Sequence, residues 1–121
     1  MWVVAATSAR SRRSRVRLPG QTFVYTIDAM RTEWDPAKAE ANLHDHGVGF
    51  TEAATVLEDP FALTREDPQA VGEPRFVTLG CSALGNLLVV VFTPRSAEVL
   101  RIISAWKANR RQRSQYEEDR R

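Results

Sequence analysis

Between Arg101 and Tyr116 the chain reads Arg-Ile-Ile-Ser-Ala-Trp-Lys-Ala-Asn-Arg-Arg-Gln-Arg-Ser-Gln-Tyr. The first part alternates like a strand. The period changes near Ala105, and a polar, strongly basic helix follows. This junction is expected to set Arg101, Lys107, Arg110, Arg111 and Arg113 close to one sheet edge. Fixed cations beside a sheet suit a phosphate-bearing partner, and RNA is the first to consider. Metal-free RNA cleavage has three requirements: activation of a ribose 2′-OH, stabilisation of the extra charge on phosphorus, and protonation of the leaving 5′ oxygen. Fixed Arg and Lys donors meet the second. His or Lys can move the protons, which is typically worth about 10²–10⁴ in rate. The plainer alternative is a solvated C-terminal helix.

Other chemistry finds little support. Cys81 is the single cysteine, so no disulfide framework or Cys-based metal site is expected. The two histidines, His44 and His46, are two apart on a predicted helix and so do not share a face. No metal and no cofactor is therefore expected. There is no Gly-rich phosphate loop and no nucleophile elbow. Glu73-Pro74-Arg75 reads most simply as a surface ion pair.

The elements that must position these groups are legible from Met30 onward. Asp35-Pro36 is an N-cap with proline at the first helical position, and Gly47 is a left-handed stop, which predicts a helix from Pro36 to about His46. Thr51 is expected to cap a second short helix, Glu52 to Glu58, stopped by Asp59-Pro60. Strands are predicted over Phe61 to Arg65, Arg75 to Cys81, Leu87 to Thr93 and Glu98 to Ala105. The short connections between the last three imply antiparallel hairpins. Leu87 to Phe92 is apolar on both faces and should be the central strand, covered on both sides. The expected core is Trp34, Leu43, Phe50, Val56, Leu57, Val77, Leu79, Val89, Val91, Leu100 and Ile102. On the last strand Arg101 points away from Leu100 and Ile102, so a half-buried arginine there needs a carboxylate or an anionic ligand. The class is α+β: two N-terminal helices, a four-stranded, mainly antiparallel sheet and a C-terminal helix.

Length fits one domain with a modest core, and no apolar run approaches the roughly 20 residues that span a bilayer. No membrane association and a reducing, cytoplasmic location are expected. The net charge of +2 conceals an asymmetry. Residues 1–29 hold Arg10, Arg12, Arg13, Arg15 and Arg17 against Asp28, and the remainder has 12 basic and 14 acidic side chains. Residues 1–29 read as a disordered Arg/Ser-rich extension, with Met30 the true start and 30–121 the domain. Phe23 to Ile27 is a candidate strand within that extension. Any nucleic-acid site in the domain must come from local clustering.

These residues carry a resemblance. Glu33-Trp34-Asp35-Pro36-x-Lys38, Asn42-Leu43-x-x-His46-Gly47-Val48-x-Phe50-x-x-Ala53, Asp59-Pro60, Glu73-x-Arg75, Leu79-Gly80 and Arg101-Ile102-Ile103-Ser104-Ala105-x-Lys107-Ala108 together resemble the BrnT toxin family. The resemblance covers Arg31 to about Glu118, in order and spacing. It implies a RelE-like fold and a type II toxin–antitoxin role as a metal-independent endoribonuclease that inhibits translation. It also implies neutralisation by a BrnA-like antitoxin, with a toxin dimer inside a heterotetramer. On the family pattern Arg75, Arg101, Lys107, His46 and Tyr116 are the catalytic candidates. Trp106, Arg110, Arg111 and Arg113 are the RNA-binding ones.

Two departures matter. The family commonly has arginine where this chain has Trp106, and often lysine where it has Asp45. An indole cannot neutralise phosphate charge but can stack on a base. The alternative reading is therefore a catalytically weakened or inactive homologue that serves as antitoxin-binding partner or co-repressor. Spacing alone also leaves a non-catalytic RNA-binding module open.

Overall fold

Asp35 and Gly47 delimit the first helix as their chemistry demands. In the computed structural model the Asp35 carboxylate accepts from the Ala37 N–H at 3.0 Å, and Gly47 sits at φ 69° with its N–H donating to the Leu43 carbonyl at 2.9 Å. The structure describes residues 31–119 with their side chains, and the backbone of β1 (Val3–Ala6), β2 (Arg13–Leu18) and β3 (Gln21–Thr26). The strand expected around Phe23 coincides with β3. The rest of residues 1–29, on which the expectation of a disordered extension bears, lies outside the described residues.

In chain order there follow β4 (Arg31–Trp34), α1 (Pro36–His46), α2 (Phe50–Val56), β5 (Leu63–Glu66), β6 (Phe76–Cys81), β7 (Leu87–Pro94), β8 (Val99–Lys107) and α3 (Arg110–Asp119). The sheet order is β1-β4-β8-β7-β6-β5-β2-β3. Strands β5 to β8 are the expected antiparallel set. The four-stranded expectation is incomplete, because β4 adds a parallel neighbour to β8, with Thr32 opposite Leu100 and Glu33 opposite Arg101. Four residues of mixed polarity give no periodic signal of their own. Their strand conformation comes from a partner far along the chain.

The central strand is β7, buried from Leu87 to Thr93. Leu88 and Val90 face α1 and α2 in a core with Trp34, Val48, Phe50, Ala53, Val56, Ile102 and Ala105. Trp34 meets Phe50 edge-on, with ring centroids 6.1 Å apart. On the opposite face Leu87 and Val89 pack with Leu79 and Tyr116 of α3. Leu43 is not core but 55% exposed, because α1 turns Asn42 to the sheet instead. Gly49, not Thr51, precedes α2 as its N-cap residue, and it supplies no side-chain bond there. Among the described residues no helix is long and apolar enough to cross a membrane.

Strand β8 contains an irregularity that the sequence conceals. Val91 aligns with Ser104 and Phe92 with Ile102, so Ile103 is an extra residue, a β-bulge. One inserted residue reverses the alternation of side chains. Ile102 and Ala105 consequently both face the α1/α2 core, although an odd number of steps separates them. The change of period near Ala105 is this bulge; β8 runs on to Lys107. Helix α3 begins at Arg110 behind Asn109. The Asn109 carbonyl oxygen accepts from the Gln112 N–H, and the Gln112 side chain accepts from the Asn109 N–H, both at 2.8 Å.

Candidate RNA-binding face

The bulge decides which cations meet. Arg101 lies before it, opposite Thr93 on β7 and Glu33 on β4, on the face turned away from α1 and α2. Lys107 lies after it, opposite Leu88, and so on the α1/α2 side. The two cations expected together at one sheet edge are placed on opposite faces. Lys107 is exposed at the strand end.

Arg101 has the partner its position requires. Its Nε donates to Glu33 Oε1 at 3.0 Å, and the two side chains are only 18% and 15% exposed. A half-buried guanidinium fixed by a carboxylate keeps its orientation at low reorganisation cost. Arg75 joins it from the other side. The Asp67 N–H donates to the Arg75 carbonyl at 2.8 Å, which extends the β5–β6 ladder one step beyond β6. Continuing the β6–β7 register by that step sets Arg75 opposite Thr93. Arg75, Thr93, Arg101 and Glu33 thus form one transverse row, with the two arginines two strands, or about 10 Å, apart. The surface ion pair expected of Glu73 and Arg75 is replaced by one between Glu73 and Arg95.

The remaining candidates sit elsewhere. His46, exposed at the end of α1, lies with its ring centroid 6.2 Å from that of Trp106, tilted by 48°. Trp106 is half-buried against the cluster of Leu79, Leu87, Val89 and Tyr116. It is part of the seat of α3 as much as a free stacking surface. Arg110, Arg111 and Arg113 are exposed on α3. Tyr116 is the buried residue of that helix, 5% exposed, and its hydroxyl donates to Asp59 Oδ2 at 2.6 Å. Its phenol faces the interior, where it fastens α3. The structure therefore unites Arg75 with Arg101 and His46 with Trp106, and distributes the others. Among the described residues no group of His, Cys, Asp and Glu is assembled to hold a metal ion.

Two further residues, Asp59 and Asn42, support the site. Asp59 Oδ2 also accepts from the Cys81 N–H at 2.7 Å, and its Oδ1 accepts from the Phe61 N–H at 2.9 Å. Gly80 leaves the room this needs: a Cβ there would lie 2.9 Å from Val56 Cγ1 and 3.2 Å from Asp59 Oδ2. Asn42, 6% exposed, caps the edge of β8 beyond β4. Its amide nitrogen donates to the carbonyls of Ala105 at 2.8 Å and Val48 at 3.0 Å. Its oxygen accepts from the Ala105 N–H at 3.1 Å and the Ser104 hydroxyl at 3.2 Å. A polar residue one helical turn after the half-buried Ala39, on the inward side of α1, is the available signal.

The family model described as "Ribonuclease toxin, BrnT, of type II toxin-antitoxin system" matches residues 34–112. The chain belongs to that family of toxins. Among solved structures, the Brucella abortus ribonuclease toxin BrnT is similar at 24% sequence identity and a TM-score of 0.48, over 64% of this chain and 94% of that one. No match occurs among curated proteins.

Proposed function

We propose that this protein is a metal-independent endoribonuclease that binds cellular RNA across the sheet face bearing Arg75 and Arg101 and so inhibits translation. The observation that carries the reading is the transverse row in which Glu33 fixes Arg101 beside Thr93 and Arg75. Preorganised guanidinium donors stabilise charge developing on a phosphate, the largest single electrostatic contribution in such chemistry. His46 beside Trp106, Lys107 at the end of β8 and Arg110, Arg111 and Arg113 on α3 lie away from this row and meet the flanking parts of the RNA chain. Tyr116 acts here by positioning α3. The same reading assigns residues 30–121 as the toxin domain, with a RelE-like architecture, working in the cytoplasm. A BrnA-like antitoxin neutralises it, with a toxin dimer at the centre of a heterotetramer.

The packing of Trp106 favours a second reading. An indole seated against His46 and the α3 cluster fills the place where the family commonly carries arginine, so the fold and antitoxin binding persist while cleavage is weakened. Incubating the purified full chain with total RNA in EDTA separates the two. The first reading expects cleavage that survives the chelator, is lost in Arg101→Ala and Arg75→Ala, and is only reduced in Lys107→Ala. Intact RNA beside a folded, antitoxin-binding protein supports the second. In that case Trp106→Arg should restore cleavage.

A further inference from the structure

We infer that Arg65 is a third backbone contact for a single-stranded RNA, extending the track from Arg101 and Arg75 across the sheet to β5. The inference rests on the reading of this face as the RNA site. Arg65 stands opposite Val77 in the β5–β6 register, and its neighbour Thr64 points the other way, with its hydroxyl 2.7 Å from that of Thr78 on the α1/α2 side. Arg65 therefore projects from the same face as Arg101. Val77 and Arg75 are two apart on one strand line, so Arg65 and Arg75 are diagonal neighbours about 7–8 Å apart at the backbone. Long guanidinium arms at three points, two in the transverse row and one a diagonal step beyond it, match the repeating charge of one nucleic-acid strand.

Charge compensation separates these arginines from the rest. Arg101 is held by Glu33 and Arg95 by Glu73. Arg65 and Arg75 are exposed, and among the described residues neither has a side-chain ion pair, although acids lie close to both in sequence. Glu73 is engaged by Arg95, Glu66 alternates to the other face of β5, and Asp67, opposite Arg75, accepts from the Gln69 N–H at 3.0 Å. Two exposed guanidinium groups with no ion pair among the described residues, beside a fixed third, favour a polyanion.

The test uses the full chain and a fluorescein-labelled, 2′-O-methylated single-stranded RNA, which lacks the hydroxyl that cleavage requires. Affinity is measured by anisotropy over a series of salt concentrations. Arg65→Ala should weaken binding by about three- to tenfold and reduce the slope of log K against log salt by about 0.7, the value for one lost single-strand phosphate contact. Arg65→Lys should recover the slope. Lys38→Ala, exposed on α1 across the sheet, serves as the control and keeps the wild-type slope, and all three variants should unfold at the wild-type urea midpoint. An Arg65→Ala protein with wild-type affinity and slope overturns the inference. So does one that loses antitoxin binding while its RNA affinity is intact. A wild-type chain that does not bind the oligonucleotide defeats instead the underlying reading of the face.

Discussion

The two halves of β8 solve one problem in different ways. From Val99 to Arg101 the strand edge is completed by a second backbone, β4, in a parallel ladder. From Ser104 onward β4 is gone, and a single side-chain amide, that of Asn42, bonds both backbone groups of Ala105. A ladder distributes stability over several hydrogen bonds, and no side chain is needed to make them. An amide cap concentrates it in one residue, whose loss strands a buried donor and acceptor together. The half that carries Arg101 should therefore tolerate side-chain change better than the half leading to Trp106 and Lys107.

Substitutions can break this contrast, and the largest effect is expected at the cap. Asn42→Leu keeps the number of side-chain heavy atoms but leaves the Ala105 N–H and carbonyl unpaired, and urea unfolding should show a loss of about 3–4 kcal/mol. On the laddered half, Glu33→Ala leaves the backbone pairing intact and removes the partner of a half-buried guanidinium. A loss of about 1–2 kcal/mol is expected, together with weaker RNA binding as Arg101 loses its fixed orientation. If Glu33→Ala proved as damaging as Asn42→Leu, the distinction between the two halves would collapse. The smallest effect sharpens the contrast: Ser104→Ala removes one 3.2 Å bond to Asn42 and should cost about 0.5–1 kcal/mol. In the Asn42→Leu background the same change should cost almost nothing, because its acceptor is already absent.

Much of the scaffold was readable because its signals are local. Asp35-Pro36, Gly47 and the short hairpin connections act through neighbouring residues, and the structure places the elements they announce within a residue or two. The apolar run of Leu87 to Phe92 likewise announced a strand covered on both sides. What escaped depends on distant partners. Strand β4 exists because β8 is beside it, and Asn42 is buried because Ser104 and Ala105 offer it bonds. Leu43 was placed in the core by hydrophobicity alone, and the turn of α1 that buries Asn42 carries it outward. Of the candidate site, the need of Arg101 for a carboxylate was legible, whereas the identity of Glu33 as that carboxylate was not. Tyr116 was visible as an aromatic in a polar helix. That its hydroxyl turns inward to Asp59 could not be read from a stretch of arginines and glutamines.

The extra residue in β8 also bears on how such a chain can vary. Ile103 works as a phase shifter: it lets one continuous strand present Arg101 on one side and Lys107 on the other while Ile102 and Ala105 keep a common direction. Removing that one codon would change no charge and little composition. It would also leave the facings as they are: Ser104 would follow Ile102 in regular alternation, with Ala105 still turned inward and Lys107 still on the side opposite Arg101. For lineages descending from this sequence, Ile103 is therefore one residue in reserve: its deletion would leave the electrostatic map of the sheet as it is, whereas a further deletion in β8 would have no extra residue to absorb it and would redraw that map.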